Sequence, residues 1–464
     1  MKQILPLERI NKLESSDFAA PETRQEIFSI LEILCAAIID LQKENQELKD
    51  EINRLKGEKG KPKFKGKKKE PPKQNEKMEK ETKRWEKSSK NKNIKIDRTV
   101  TIEVSKEDLP PDAVFKGYDE KIVQNIIVTT DNILYRLEKY YSPSEGKTYT
   151  AKVDESIQNT QFGPETKALI SSLYYENRVT ENKIASFLNS NGLLISEGTI
   201  SNILIREESE SLTQVKNGIF EAGLSSSTYQ QIDDTGMKID GVSGYSTFIG
   251  NEKYSTFFFN TSKSRATIKQ FLTEYLVSKF LILVGDDAPQ FKKIALLFAL
   301  CWVHEERLYK KLVPILEFYK KEVERVRGEI WEYYDRLKDY KQEPTEQKKH
   351  ALWADFDELF SQETNYEELN KRLSLTLDKK NELLVVLDYP EVPLHNNLSE
   401  IALREIVIKR KISGGVKNEA GKVAWENNMS ILGTCKKLGI SFYEFMREVF
   451  SKNITTDIPN LILQ

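Results

Sequence analysis

Apolar residues recur every seven positions early in the chain. Ile27, Leu34, Leu41, Leu48 and Leu55 form one seam, and Leu31, Ile38, Asn45 and Ile52 form a second, offset by three and four. This period predicts a long helix with an apolar stripe. Leu along one seam, with Ile and a single Asn along the other, is the pattern of a parallel two-stranded coiled coil, in which the Asn specifies register. The competing reading is one amphipathic helix packed on its own domain. The unbroken run favours pairing, and hence a homodimer.

Past Leu55 the pattern stops, interrupted by Gly57, Gly60, Pro62, Gly66, Pro71 and Pro72. Residues 1–56 are thus read as an N-terminal region with a leucine zipper and 57–93 as a linker without stable structure. From 94 to about 160 short alternating runs ("TVTIEV", "IVQNIIVTTDNILYRLEKYYS", "KTYTA") predict a small β-rich module. Residues 161–222 read as helices. Thr180 and Ser196 stand at N-cap positions and Gly192 in the break, which is a helix-turn-helix shape or an ordinary helical hairpin. Three strands then cluster (Ser227–Asp233, Gly244–Gly250, Tyr254–Ser262), followed by a helix, a buried strand ending at Asp286, a further helix and an apolar run from Ile294. An antiparallel meander followed by alternating helix and strand predicts a ribonuclease-H-like α/β core over 223–415, with a helical insertion at 305–390. A helical segment, 416–464, closes the chain.

Charge changes this picture in one place. From Lys56 to Lys92 sixteen Lys or Arg stand against six acidic residues, although the formal net charge of the whole chain is -1. An acidic body carrying a concentrated basic segment suits either a solvated linker or a polyanion held at one place through counterion release. Three scattered cysteines (Cys35, Cys301, Cys435) do not make a disulfide framework and point to a reducing compartment. The N-terminus lacks the apolar stretch of a signal peptide, and the longest apolar run is strand-length. A soluble, cytoplasmic protein with no membrane partner is expected.

Asp233 and Asp286 each end a core strand. Aspartates at strand ends are commonly turn residues or caps. They also hold Mg²⁺, a hard ion that takes oxygen ligands and is bound by few carboxylates plus substrate phosphate. Spacing alone leaves both readings open. The pair Cys301 and His304 offers only two zinc ligands with no second pair at suitable spacing, so zinc is not expected.

Four ordered motifs add to this: "IDDTG" (232–236), "LVGDDAPQF" (283–291), "CWVHEERLYKKL" (301–312) and "HNNLSEIALREIVIKRKISGG" (395–415). With the closing "NNMSILGTCKKLGISFYEFMREVF" and the segment from Gly163 to Leu204, they resemble insertion-sequence-66-type transposases, of the DDE class. The resemblance covers most of the chain. It implies a first acid at Asp233 (with Asp234 beside it), a second at Asp286 (with Asp287 beside it) and a third at Glu400, after Asn396 and Asn397. Strand neighbours face opposite sides, so one of each aspartate pair is expected in the pocket. The resemblance further implies two Mg²⁺ ions, replaceable by Mn²⁺, held by Asp233, Asp286 and Glu400. Cys301, His304, Asn396 and Asn397 become supporting residues, and Arg265, Arg404, Lys409, Arg410 and Lys411 contacts to the DNA backbone. The chain departs from the family at His395 and Ile401, and its 94–160 region lacks the cysteines of a zinc module.

The implied activity is cleavage at the inverted ends of an insertion sequence and transfer of the freed 3′-hydroxyl into target DNA, near the bacterial nucleoid. Transposon ends, target DNA and accessory proteins of the same element are the implied partners. The helix pair around Thr180–Arg206 and the basic linker are the expected DNA readers. Two rivals are a nuclease of the same fold that cuts without joining, and a non-catalytic DNA-binding regulator descended from a transposase.

Overall fold

The computed structural model describes residues 21–55, 94–105, 110, 112–158, 160–276 and 282–464. The linker expected over 57–93 lies outside them. The chain divides into two units, residues 48–130 and the remainder. In the first of these, the described residues from 94 to 130 form no helix or strand, and Val100, Ile102, Ile126 and Ile127 are exposed. The β-rich module predicted over 94–160 is thereby reduced to one hairpin farther along, β1 (Lys139–Ser142) with β2 (Lys147–Thr150). Alternation makes a strand only where a second strand supplies its hydrogen bonds, and these runs find none among the described residues.

The heptad segment is one helix, α1 (Pro21–Leu55). Its buried side chains, Phe28 and Cys35, lie outside both predicted seams, whereas Leu34, Leu41 and Leu48 are exposed. Phe28 packs on Leu316 and Tyr319, and the Glu32 carboxylate accepts the backbone N–H groups of Ile315 (2.6 Å) and Leu316 (3.1 Å). A carboxylate at a helix N-terminus satisfies donors that the helix itself leaves unpaired. One face of α1 is therefore docked within the chain, while of the described seam residues Leu34, Leu41 and Leu48 are exposed and Ile27, Leu31 and Ile38 half-buried.

Helices α2 (Pro164–Ser171), continued by a π-turn at Ser172–Glu176, α3 (Glu181–Ser190), α4 (Glu197–Ile205) and α5 (Ser209–Ser225) precede the sheet. Ser196 caps α4 as expected, accepting the Thr199 N–H at 3.1 Å. Thr180 stands at the N-cap of α3 without a cap bond; its hydroxyl goes to Asn182. Gly192 takes the left-handed φ of +89° that lets the chain turn between α3 and α4.

Five strands form the sheet: β3 (Tyr229–Ile239), β4 (Val242–Gly250), β5 (Ser255–Asn260), β6 (Ile282–Gly285) and β7 (Leu297–Leu300), in the order β5-β4-β3-β6-β7. The expected meander is present. β3 and β4 are joined through Asp240-Gly241, both at positive φ (50° and 75°), the two-residue turn that matches strand twist. Helix α6 (Arg265–Leu276) leads to β6, which pairs parallel to β3, and β7 pairs parallel to β6. The helix expected between β6 and β7 is absent. Residues 286–296 make that crossover as turns, anchored by buried Phe291.

The insertion comprises α7 (Trp302–Lys310), α8 (Glu317–Gln342), α9 (Glu346–Phe360), α10 (Glu367–Leu377) and α11 (Lys380–Leu383), around its own core of Trp302, Tyr333, Phe356 and Phe360. The chain returns to the sheet through α12 (Asn397–Ser413), α13 (Glu419–Leu438), α14 (Phe442–Phe450) and α15 (Ile458–Leu463). These last helices share one core with α2–α5 and the sheet.

α13 runs along the edge strand β5. Its Glu426, Ser430 and Thr434, spaced by four, accept the outward N–H groups of Phe259 (2.6 Å), Phe257 (3.0 Å) and Ser255 (3.1 Å). An edge that would otherwise offer unpaired donors is thus closed by side chains. Gly433 allows the approach, since a Cβ there would lie 2.8 Å from that of Ser255. Among the described residues no helix is long and apolar enough to cross a membrane. Ser430→Ala strands the Phe257 N–H and should lower unfolding free energy by about 1–2 kcal/mol. Gly433→Val should cost more, and urea unfolding measures both.

Candidate active site

The sheet register brings two acids side by side. β3 and β6 pair with Gln231 opposite Val284, so two residues farther on Asp233 and Asp286 stand level. Asp286 lies just past the end of β6, but the expectation that Asp233 ends its strand is corrected: β3 continues to Ile239, paired with β4, and Asp233 is mid-strand. Gly285 keeps the strands close there; a Cβ on it would meet the Ile232 carbonyl at 3.2 Å. The third acid, Glu400, sits in the first turn of α12.

Asn396 ties the three segments together. It is fully buried. Its amide Nδ2 donates to the carbonyl of Ile232, the residue before Asp233 (3.0 Å). Its backbone N–H donates to Cys301 Sγ (3.2 Å), and the Cys301 N–H donates to Gly285 O, the residue before Asp286 (2.9 Å). Its own carbonyl accepts the Glu400 N–H (3.3 Å), and Ser399 donates to its Oδ1 (2.7 Å). Cys301 is therefore a buried acceptor whose thiol pKa is raised by burial. Asn397, by contrast, is exposed.

The electrostatics follow from this placement. Burial, together with the charges of Asp286, Asp234 and Glu400, pushes the Asp233 carboxyl up to about 7, against the pull of one backbone hydrogen bond. Asp286 is also raised, chiefly by burial, while it accepts the Ala288 N–H at 3.2 Å. Crowded, half-buried carboxylates resist ionising together. Asp287 is different. Burial would raise it, but Lys292 (2.5 Å) and Lys379 (2.6 Å) outweigh burial and hold it below the usual carboxylate range. Asp286 and Asp287 both lie past the end of β6, where strand alternation does not apply. Asp234 lies within electrostatic reach of Asp286, its Oδ2 accepting from Gln290 Nε2 (2.8 Å).

α7 supplies the opposite wall. His304 Nε2 lies 3.5 Å from Glu400 Oε1, and its Nδ1 is buried without a partner. Burial lowers the His304 pKa, so the ring is neutral. Arg307, one turn on, donates from its two terminal nitrogens to Glu400 Oε1 (3.2 Å) and Oε2 (3.5 Å). Neither Arg307 nor Gln290 stood out in the sequence. Both lie inside motifs already quoted, and Arg307's helical spacing from His304 was the available signal.

Among the described residues no three His, Cys, Asp or Glu side chains are placed to hold one ion. Each acid here takes a partner from the chain itself: Asp233 its neighbour's N–H, Asp234 Gln290, Asp286 Ala288 and Glu400 Arg307. In kind, the donors fit a hard divalent cation: carboxylate oxygens, crowded and part-buried, whose repulsion such an ion relieves.

The basic residues divide. Lys409 is buried, its Nζ donating to Tyr174 O (2.9 Å) and lying 3.5 Å from the Tyr174 ring centroid and 4.9 Å from that of Trp425. Burial lowers its pKa to about 7. It is a packing residue, and the expectation that it clamps DNA is corrected: a side chain enclosed by aromatic rings does not reach a phosphate. Arg410 reaches Thr235 Oγ1 at 3.5 Å, and Lys411 and Arg404 are exposed. Arg265 donates to the Pro289 carbonyl at 2.7 Å, bracing the loop that carries Gln290. The α3–α4 pair carries no Lys or Arg between Lys183 and Arg206, and its Ile184, Leu188, Ile200 and Ile203 belong to the main core.

Asn396→Ala should cost about 1–3 kcal/mol by leaving the buried Ile232 carbonyl unpaired, read by thermal unfolding. The second expectation concerns pH. Asp233 holds its proton more tightly folded (about 7) than unfolded (3.8), so its contribution to stability falls as pH rises from about 4 to 7. Asp233→Asn removes that penalty. Without divalent ions the variant should be more stable than the parent at pH 8, by up to about 2–4 kcal/mol, with the gain vanishing toward pH 4.

A family model described as "Transposase IS66 family" matches residues 159–424, more than half of the chain. An uncharacterized protein of Sinorhizobium fredii (strain NBRC 101917 / NGR234), y4jO, is 43% identical over 165 residues, 36% of this chain and 51% of that protein. The chain thus spans about half the length of this curated relative.

Proposed function

Because the chain belongs to the IS66 transposase family, we propose that it is a DDE-class DNA transposase with Asp233, Asp286 and Glu400 as its acids. The observation that carries this reading is that carboxylates from three chain segments lie within electrostatic reach of one another, burial and the charges of Asp286, Asp234 and Glu400 together pushing Asp233 up to about 7. The strand order, three antiparallel strands with two parallel strands added beside the first, supports a ribonuclease-H-like core.

Asp233, Asp286 and Glu400 would hold two Mg²⁺ ions, or Mn²⁺ in their place, which when bound activate the attacking oxygen and stabilise the leaving oxygen of an in-line phosphoryl transfer. The rest is positioning. Asn396 fixes the three acid-bearing segments against one another. Gln290 orients Asp234, and the apolar core beneath β3 and β6 keeps the pocket part-desolvated, so its charges act strongly. Arg404, Arg410 and Lys411 lie along α12 beyond Glu400, where a DNA backbone entering the pocket would run. The reaction served is hydrolysis at the end of a mobile element, then attack of the freed 3′-hydroxyl on target DNA.

The exposed Leu34, Leu41 and Leu48 of α1 support pairing with a second copy of the chain, while Phe28 and Glu32 keep the helix attached to the insertion. The basic segment 57–93 supplies the DNA affinity that the acidic α3–α4 pair lacks. Accessory proteins of the same element belong to this reading, as does a cytoplasmic site at the nucleoid, which the three free cysteines support.

The test is incubation with DNA bearing the element's own ends, with Mg²⁺ or Mn²⁺, resolving cleaved from joined products. Both products are expected, and Asp233→Asn and Glu400→Gln should abolish them. Cleavage without joining would identify a nuclease; activity surviving in either variant would overturn the assignment of the acids.

A further inference from the structure

Arg307 is placed where the reading above needs a cation. Its guanidinium spans both oxygens of Glu400, at 3.2 and 3.5 Å, and one nitrogen also lies 3.3 Å from His304 Nε2. These are long contacts. The buried pairs nearby are shorter, with Arg372 at 2.6 Å from Glu305 and Arg327 at 2.6 Å from Glu306. The Arg307 side chain is 45% exposed, and Glu400 25%. A loosely held, half-exposed guanidinium therefore covers an acid whose other neighbours include further carboxylates and the His304 imidazole.

We propose that Arg307 is a placeholder for the divalent cation at Glu400, and that it exchanges Glu400 for a DNA phosphate when nucleic acid enters. The inference rests on the assignment of Glu400 as a metal-holding acid. Two positive groups on the same two oxygens repel, so a metal ion at Glu400 displaces the guanidinium. The same flat fork that grips a carboxylate grips a phosphate in bidentate fashion. The Arg307 side chain is half exposed, so rotation about its own bonds is enough to release Glu400. A consequence is linkage: phosphate that engages Arg307 frees Glu400 for the ion, and an ion at Glu400 frees Arg307 for phosphate. Each tightens the other by the same factor.

The experiment uses the full chain and counts free Mn²⁺ by electron paramagnetic resonance, with and without a DNA duplex of arbitrary sequence. In the wild type the duplex should tighten Mn²⁺ binding several-fold. Arg307→Gln should bind Mn²⁺ about three- to tenfold tighter than wild type without DNA, the range expected for losing one partly exposed competing ion pair, and the duplex should then tighten binding less than it does in the wild type. Arg307→Lys, which keeps charge but not the fork, should fall between the two. Unchanged or weaker Mn²⁺ binding in an Arg307→Gln protein of normal unfolding temperature would leave Arg307 a structural contact only. A DNA effect as large in that variant as in the wild type would also overturn the exchange. Glu400→Gln separates this failure from that of the parent reading: if it binds Mn²⁺ as the wild type does, Glu400 is not a ligand and both fall.

Discussion

The mutual repulsion of carboxylates in a part-buried pocket is the constraint around which this molecule is arranged. Asp233, Asp234, Asp286 and Glu400 would separate if their supports were soft. The supports are two parallel strands held in register, a buried Asn that binds three chain segments, and a helix whose first turn presents Glu400. The unfavourable interaction is local and the stabilising ones are distributed through the core.

The insertion belongs to the same arrangement. Glu305, nearly fully buried on α7, pairs with Arg372 and with Lys379, and Lys379 reaches on to Asp287 beside Asp286. α7 also carries His304 and Arg307. The helical insertion is therefore joined to the pocket by ion pairs on one side and by a helix wall on the other. A buried pair of this kind destabilises strongly when one partner is removed, so it fixes geometry more than it adds stability.

Much of this was legible beforehand, for physical reasons that can be named. The α1 helix, the β3–β4–β5 meander and the α3–α4 pair are all specified by local periodicity and turn chemistry. Glu400 was not legible from spacing, since a helical acid far along the chain has no local signature; only motif order pointed to it. Lys409, expected among the contacts to the DNA backbone, is instead buried. Its helical spacing from Leu403 and Ile406, both buried, already put it on the inner face of α12. The runs from 94 to 130 alternate correctly yet pair with nothing in the described residues, because alternation states a preference and pairing requires a partner. The absent crossover helix between β6 and β7 follows from a segment that begins Asp-Asp-Ala-Pro, in which proline restricts the residue before it away from helical geometry.

The seal that α13 places on β5 has a bearing on how many copies can gather. An open sheet edge recruits further copies of a chain strand by strand and without limit. Glu426, Ser430 and Thr434 occupy the N–H groups that such growth would use. The opposite edge, β7, is only four residues long. Strand-by-strand pairing of one copy of the chain with another is thereby blocked along β5 and leaves only a short run at β7.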